Sequence, residues 1–217
     1  MKIPKIIFAS ILMAASISLC SIVQAQTSPA DPPPPVKVKA IPAQVVPGAT
    51  VLTGWQRYQF GIEPAFSVIL PSAPTTSDEP VAGMASATLH MYASTTGTAV
   101  YVAARLEQLG GNIEKRSDAD RQTFFERFVD GFAKGFQESM KQQNLPYELK
   151  LLDAQKVTIA GRDGYQQELS VGEFRGRANL VFAGTGAFCL VSIWHPKTPT
   201  GDTDAFFNSL QLTGVAK

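Results

Sequence analysis

The chain has 217 residues, of which 45% are hydrophobic and 17% charged, a composition that supports a globular core. Its 19 basic residues stand against 18 acidic ones, so there is no cationic surplus of the kind that binding a phosphate backbone needs, and nucleic acid is excluded as an expected partner.

Lys2 and Lys5 precede an apolar run from Ile6 to Val23, which closes on Val23-Gln24-Ala25 with the residues a signal peptidase reads. Residues 1–25 are therefore expected to be a cleaved export signal, and the protein to be periplasmic or secreted. Leu19 before Cys20 argues against lipid attachment at that cysteine. An uncleaved run would be an anchor of marginal length, because spanning takes about 20 apolar residues. Loss of Lys2 and Lys5 leaves 17 basic residues against 18 acidic ones, and loss of Cys20 leaves Cys189 alone. No intramolecular disulfide and no paired-cysteine zinc site is then expected.

Residues 26–50 carry seven of the fifteen prolines, including Pro32 to Pro35, and read as an extended spacer too poor in apolar side chains to fold. The folded part is expected over residues 51–217. It opens with two short strands, WQRYQFG and FSVILP, closed by Pro71 and Pro74, and 75–83 reads as a loop.

SATLHMY and VYVAARL flank the turn-rich Thr95-Thr96-Gly97-Thr98 and predict a hairpin. A four-residue loop would set Tyr92 opposite Tyr101, His90 opposite Ala103 and Thr88 opposite Arg105. Alternation then makes one face of Ala87, Leu89, Met91, Val102, Ala104 and Leu106, entirely apolar. The other face carries Ser86, Thr88, His90, Tyr92, Tyr101 and Arg105. This polar strip is the candidate binding site, with Arg105 placed to grip an anionic group.

Ser117 with Asp120 predicts a helix start. At about 100° per residue, Phe124, Phe125, Phe128, Val129, Phe132, Phe136 and Met140 then share one side. A phenylalanine stripe of this kind is core, since exposed it would drive aggregation. Leu145-Pro146 ends the helix. Two further hairpins follow. In the first, a turn within 160–164 would set Ile159 opposite Tyr165 and Lys156 opposite Glu168. In the second, Gly184-Thr185-Gly186 would be the turn, sorting Leu180, Phe182, Phe188 and Leu190 to one face and Val181, Ala183, Cys189, Val191 and Ile193 to the other. Strands apolar on both faces are central and covered on both sides. A short helix from about Thr203 to Leu210 closes the pattern, with Asp202 or Asp204 as its cap.

Together these elements predict an α+β fold, an antiparallel sheet of about six to eight strands flanked by one long and one short helix. The order FSVILP, MYASTTGTAVYV, amphipathic helix, KVTIAGRDGYQQEL, GAFCLVSIW and DAFFNSLQL resembles the PsbP/Mog-like superfamily from Trp55 onwards. The resemblance implies an α/β/α sandwich and a non-enzymatic accessory or binding domain. It brings over no metal or partner-binding residue.

No serine stands in a G-x-S-x-G setting, and Gly184-Thr185-Gly186 joins strand to strand rather than strand to helix, so it is no phosphate cradle. Cys189 and His195 lie six positions apart on an extended strand, roughly 20 Å, too far for direct proton transfer. Cys189 reads as a small buried hydrophobe and His195 as a strand-end residue. No metal and no cofactor is expected. The sequence thus favours an exported, monomeric, non-catalytic module that binds an envelope or secreted protein or a small ligand. The alternative is a hydrolase or lyase using the polar face of the 86–105 hairpin.

Overall fold

The computed structural model describes residues 44–45, 52–61, 65–80, 87–109, 111–144 and 146–213. The export-signal stretch, most of the proline-rich stretch and the residues on either side of the expected peptidase site lie outside these. The fold is α+β, built, among the described residues, from two antiparallel sheets and two α-helices.

Seven strands form the larger sheet. In chain order these are β4 (Thr75–Pro80), β5 (Thr88–Thr95), β6 (Ala99–Glu107), β7 (Leu149–Ile159), β8 (Arg162–Val171), β9 (Phe174–Ala183) and β10 (Gly186–Trp194), arranged β4-β5-β6-β10-β9-β8-β7. The smaller sheet runs β1 (Gln44–Val45), β2 (Gln56–Phe60), β3 (Ala65–Leu70) and β11 (Gln211–Thr213). Gln44 and Val45, inside the stretch read as spacer, pair with Gln59 and Tyr58, so pairing reaches further towards the N-terminus than the sequence suggested. The 75–80 stretch, expected as a loop, is an edge strand: its polar sequence has only β5 to satisfy on one side, and Asp78 and Glu79 keep the other side unattractive to further strands.

Helix α1 (Asp118–Gln142) begins as expected. Ser117 accepts a hydrogen bond from the Asp120 amide at 3.1 Å, and its hydroxyl donates back to Asp120 Oδ2 at 2.6 Å. Its phenylalanine side is buried against one face of the larger sheet, among Leu89, Met91, Val102, Leu106, Leu180 and Cys189. Gly131 and Gly135 are buried too, where absent side chains let the helix axis approach the strands. Burying each such phenylalanine contributes roughly 1.5–3 kcal/mol.

The other face meets helix α2 (Thr200–Asn208) and the smaller sheet together. Tyr58, Phe60, Phe66, Val68 and Leu70 join Phe206, Phe207 and Leu210 over Tyr101, Val181, Phe188 and Leu190. Pro199, not an aspartate, precedes the first turn of α2 without a side-chain cap, and Asp202 lies within that turn, where its charge complements the helix dipole.

Four hairpins of the larger sheet turn on two residues: Gly97-Thr98, Ala160-Gly161, Gly172-Glu173 and Gly184-Thr185. The second and third expected registers therefore shift by an odd number of residues, and faces interchange. Ile159 pairs with Arg162 and Lys156 with Tyr165, which sends Tyr165 under α1 and Ile159 to the opposite face, in the cluster that holds Phe207 and Leu210. Phe182 and Leu180 likewise share the α1 face with Ala187 and Cys189, while Phe188 and Leu190 lie with Val181 and Ala183 opposite. Ala160 takes the left-handed conformation (φ 51°) normally reserved for glycine or asparagine, so the turn carried no compositional sign at that position.

At the far edge β7 bulges between Leu151 and Ala154. Gln167, buried, donates to the carbonyls of Leu152 (2.9 Å) and Asp153 (3.3 Å) and so holds the bulge.

Candidate functional site

The β5–β6 hairpin closes with the Thr96 amide donating to Ala99 O (2.9 Å) and the Ala99 amide donating to Thr96 Oγ1 (3.0 Å). The short turn displaces the pairing by two residues from the expected one, so that Thr88 faces Glu107, His90 faces Arg105, Tyr92 faces Ala103 and Ser94 faces Tyr101. An even displacement leaves each side chain on its expected face. Thr88, His90, Tyr92, Tyr101 and Arg105 do share one face of the sheet, the one opposite α1.

They do not form one wet strip. Tyr92 and Tyr101 lie in the core beneath the smaller sheet and α2. Tyr92 stacks on Phe60 with centroids 3.9 Å apart, and Tyr101 meets Trp55 and Phe206 edge-on at 5.1 and 5.2 Å. Burial pushes the Tyr92 hydroxyl up to about 12 and the Tyr101 hydroxyl higher still, and the Tyr101 hydroxyl has no hydrogen-bond partner among the described residues. Both tyrosines serve packing.

The remaining members form an ionic row, in which strand pairing sets Asp78 of β4 beside His90, His90 beside Arg105, and Arg105 beside Phe188 of β10. His90 Nδ1 lies 2.7 Å from Asp78 Oδ1, and its Nε2 lies 3.7 Å from Glu107 Oε2. Arg105 Nη2 is 2.9 Å from Glu107 Oε1, and its guanidinium carbon sits 5.7 Å from the Phe188 ring centre. Glu107 and Asp78 raise the His90 pKa above its ordinary value against the opposing effect of burial. His90 and Arg105 in turn hold the Glu107 carboxyl below its ordinary value. Arg105 is thus committed within the chain, its side chain 11% exposed, and is not free to grip an anion as expected. The groups that reach outwards are the carboxylates, Glu107 at 32% and Asp78 at 20% exposure, with half-buried Thr88 beside them.

Sequence reasoning missed both carboxylates. Asp78 fell in the stretch read as loop, and Glu107 lay one residue past the end of the strand as drawn. The signal available was the alternation of Thr76, Asp78 and Pro80 opposite Tyr92, His90 and Thr88.

Cys189 is buried under α1, where burial pushes its thiol well up. His195 follows β10, its amide donating to Thr98 O at 2.8 Å, its ring Nδ1 accepting from the Lys197 amide at 3.1 Å and its ring edge-on to Phe174. The two lie apart, as their spacing required. Asp204 sits 3.9 Å from Arg177. Among the described residues no three histidine, cysteine or acidic side chains converge as a metal site, and no helix is long and apolar enough to cross a membrane.

No family model matches the chain, and no curated protein sequence matches it. Among solved structures it is similar to the solution structure of cyanobacterial PsbP (CyanoP) from Synechocystis sp. PCC 6803, at 13% sequence identity and a TM-score of 0.48, over 76% of this chain and 96% of that one.

Proposed function

We propose that the chain is an exported, non-catalytic accessory domain that binds a protein partner in the cell envelope through the Asp78–His90–Arg105–Glu107 row at the β4 edge. One observation carries this reading: every cation of the row is held by a carboxylate of the same row, and the solvent-facing groups are those carboxylates. General acid–base chemistry calls for an imidazole nitrogen turned towards substrate, whereas both nitrogens of His90 face carboxylates. Tyr92 and Tyr101, which the hydrolase or lyase alternative enlists, lie in the core. An outward acidic rim on a rigid strand edge suits a partner bearing lysine or arginine. Export itself is supported by Lys2, Lys5, the Ile6–Val23 run and Val23-Gln24-Ala25.

The test joins pull-down from the envelope fraction with thermal melting, on wild type, Glu107→Gln and Thr88→Ala. The reading expects Glu107→Gln to lose the captured partner while the protein still folds. Retained capture with lowered melting assigns the row to the fold alone. Mass spectrometry of the exported protein should find Gln26 at its N-terminus; an intact Met1 or an acylated Cys20 overturns the export reading.

A further inference from the structure

On the same face of the larger sheet, but at the opposite end from the ionic row, a polar cleft of about 280 Å³ opens between β7–β9 and the end of α2. Thr158, Gln166, Arg177, Asn179, Phe207 and Asn208 line it. Gln166 and Asn179 are direct neighbours on β8 and β9, so their carboxamides stand side by side, while Asn208 closes α2 across from them. Asn179 is only 7% exposed, and its Oδ1 has no hydrogen-bond partner among the described residues. An unpaired buried acceptor is a standing cost, one that an incoming donor removes.

The cleft carries little net charge to offer. Arg177 Nε donates to Glu168 Oε1 at 3.0 Å, its Nη1 lies 3.9 Å from Asp204, and its guanidinium stacks 5.0 Å from the Phe207 ring. Glu168 also accepts from Gln166 Nε2 at 3.2 Å, which leaves the Gln166 oxygen as a second acceptor. An anion meets Glu168 and Asp204, and a cation meets Arg177. What remains is a pair of adjacent planar amides, with a threonine hydroxyl and an apolar border.

We infer that this cleft binds one neutral sugar unit. Each sugar hydroxyl both donates and accepts, which matches neighbouring carboxamides, and the C–H edges of the ring suit the apolar border. The volume lies just under the range of about 300–1,000 Å³ typical of drug-sized ligands, which limits the occupant to a single ring.

The experiment is an NMR titration of the side-chain amides of the full chain. The probes are glucose, galactose, mannose and N-acetylglucosamine, each free and as its methyl glycoside, with glycerol as control. At least one sugar should shift the amide signals of Gln166, Asn179 and Asn208 saturably and bind about tenfold or more tightly than glycerol. Asn179→Leu should weaken that binding by about tenfold or more, the loss expected for one or two hydrogen bonds. Gln166→Leu, at a half-buried position, carries the same test should Asn179→Leu not fold. Equal binding of the methyl glycoside identifies the end of a glycan as an acceptable source, and binding of the free sugar alone identifies a free monosaccharide. The inference falls if no sugar shifts these signals, if glycerol does so equally, or if a folded leucine variant binds unchanged, since the cleft then holds water.

Discussion

Nδ1 of His90 stands 2.7 Å from Oδ1 of Asp78, so the edge strand β4 is fastened to β5 through side chains as well as through the backbone ladder. The strength of that fastening depends on pH. The His90 pKa is raised above 6.5, so its stabilisation is complete below that value and is lost as pH rises through the raised one. The Glu107 pKa is lowered from 4.5, so its contribution is present above that value and is lost as pH falls through the lowered one. Melting temperature should therefore be highest in the mildly acidic window between the two. His90→Asn should flatten the alkaline fall. Melts recorded from about pH 4 to 9 check this, and an alkaline fall identical in the variant defeats it.

Tyr101 is wholly buried with a hydroxyl that has no partner among the described residues, so its ring stabilises while its oxygen costs. Tyr101→Phe should raise stability by about 1 kcal/mol, and Tyr101→Ala should lower it by about 3–5 kcal/mol. Denaturant titration measures both. A loss on Tyr101→Phe means the hydroxyl has a partner after all.

Cys189 sits on a strand covered from both sides, and burial disfavours its thiolate. A disulfide reagent should leave the native thiol unmodified over hours and react at once after unfolding in guanidinium. Fast native labelling is the contrary result.

Gly186 begins β10 where a Cβ would meet the Leu106 carbonyl oxygen of β6 at 2.6 Å. A backbone atom cannot swing aside, so Gly186→Ala should cost about 1–3 kcal/mol. Gly97→Ala is the control, with no atom within 4 Å of its Cβ, and should stay within about 0.5 kcal/mol. Equal melting temperatures for the two variants refute the argument.

The long helix and the first hairpin were legible because each has one apolar side and one polar side, and a period that only one arrangement satisfies. That contrast is why the face of His90 and Arg105 survived a register error of two residues. The hairpins at Ala160-Gly161 and Gly184-Thr185 were not legible in register. On β9 and β10 both faces are apolar, so a one-residue slip exchanges one acceptable set for another, and only the turn decides. The smaller sheet stayed hidden for a different reason. Its last strand, Gln211–Thr213, is three residues long and pairs with a segment far back in the chain. In the candidate site the two central groups were found, and their carboxylate partners were missed because polar edge strands look like loops. The distinction between buried tyrosines and an accessible polar strip depended on that hidden sheet.

The smaller sheet sets β11 beside β3, joining Thr213 to Ala65, and Arg57 Nη1 donates both to Ser67 Oγ (3.1 Å) and to the Ser209 carbonyl (2.7 Å). The Ala65–Thr213 pairing and the Arg57–Ser209 bond close loops of well over a hundred residues, the kind whose entropy is met late in folding. A chain made N-terminus first leaves β3 with one bare edge until residues 211–213 emerge, and Tyr101 without Phe206 above it until residue 206 does. Closure of the smaller sheet is thereby deferred until residues 211–213 have been made.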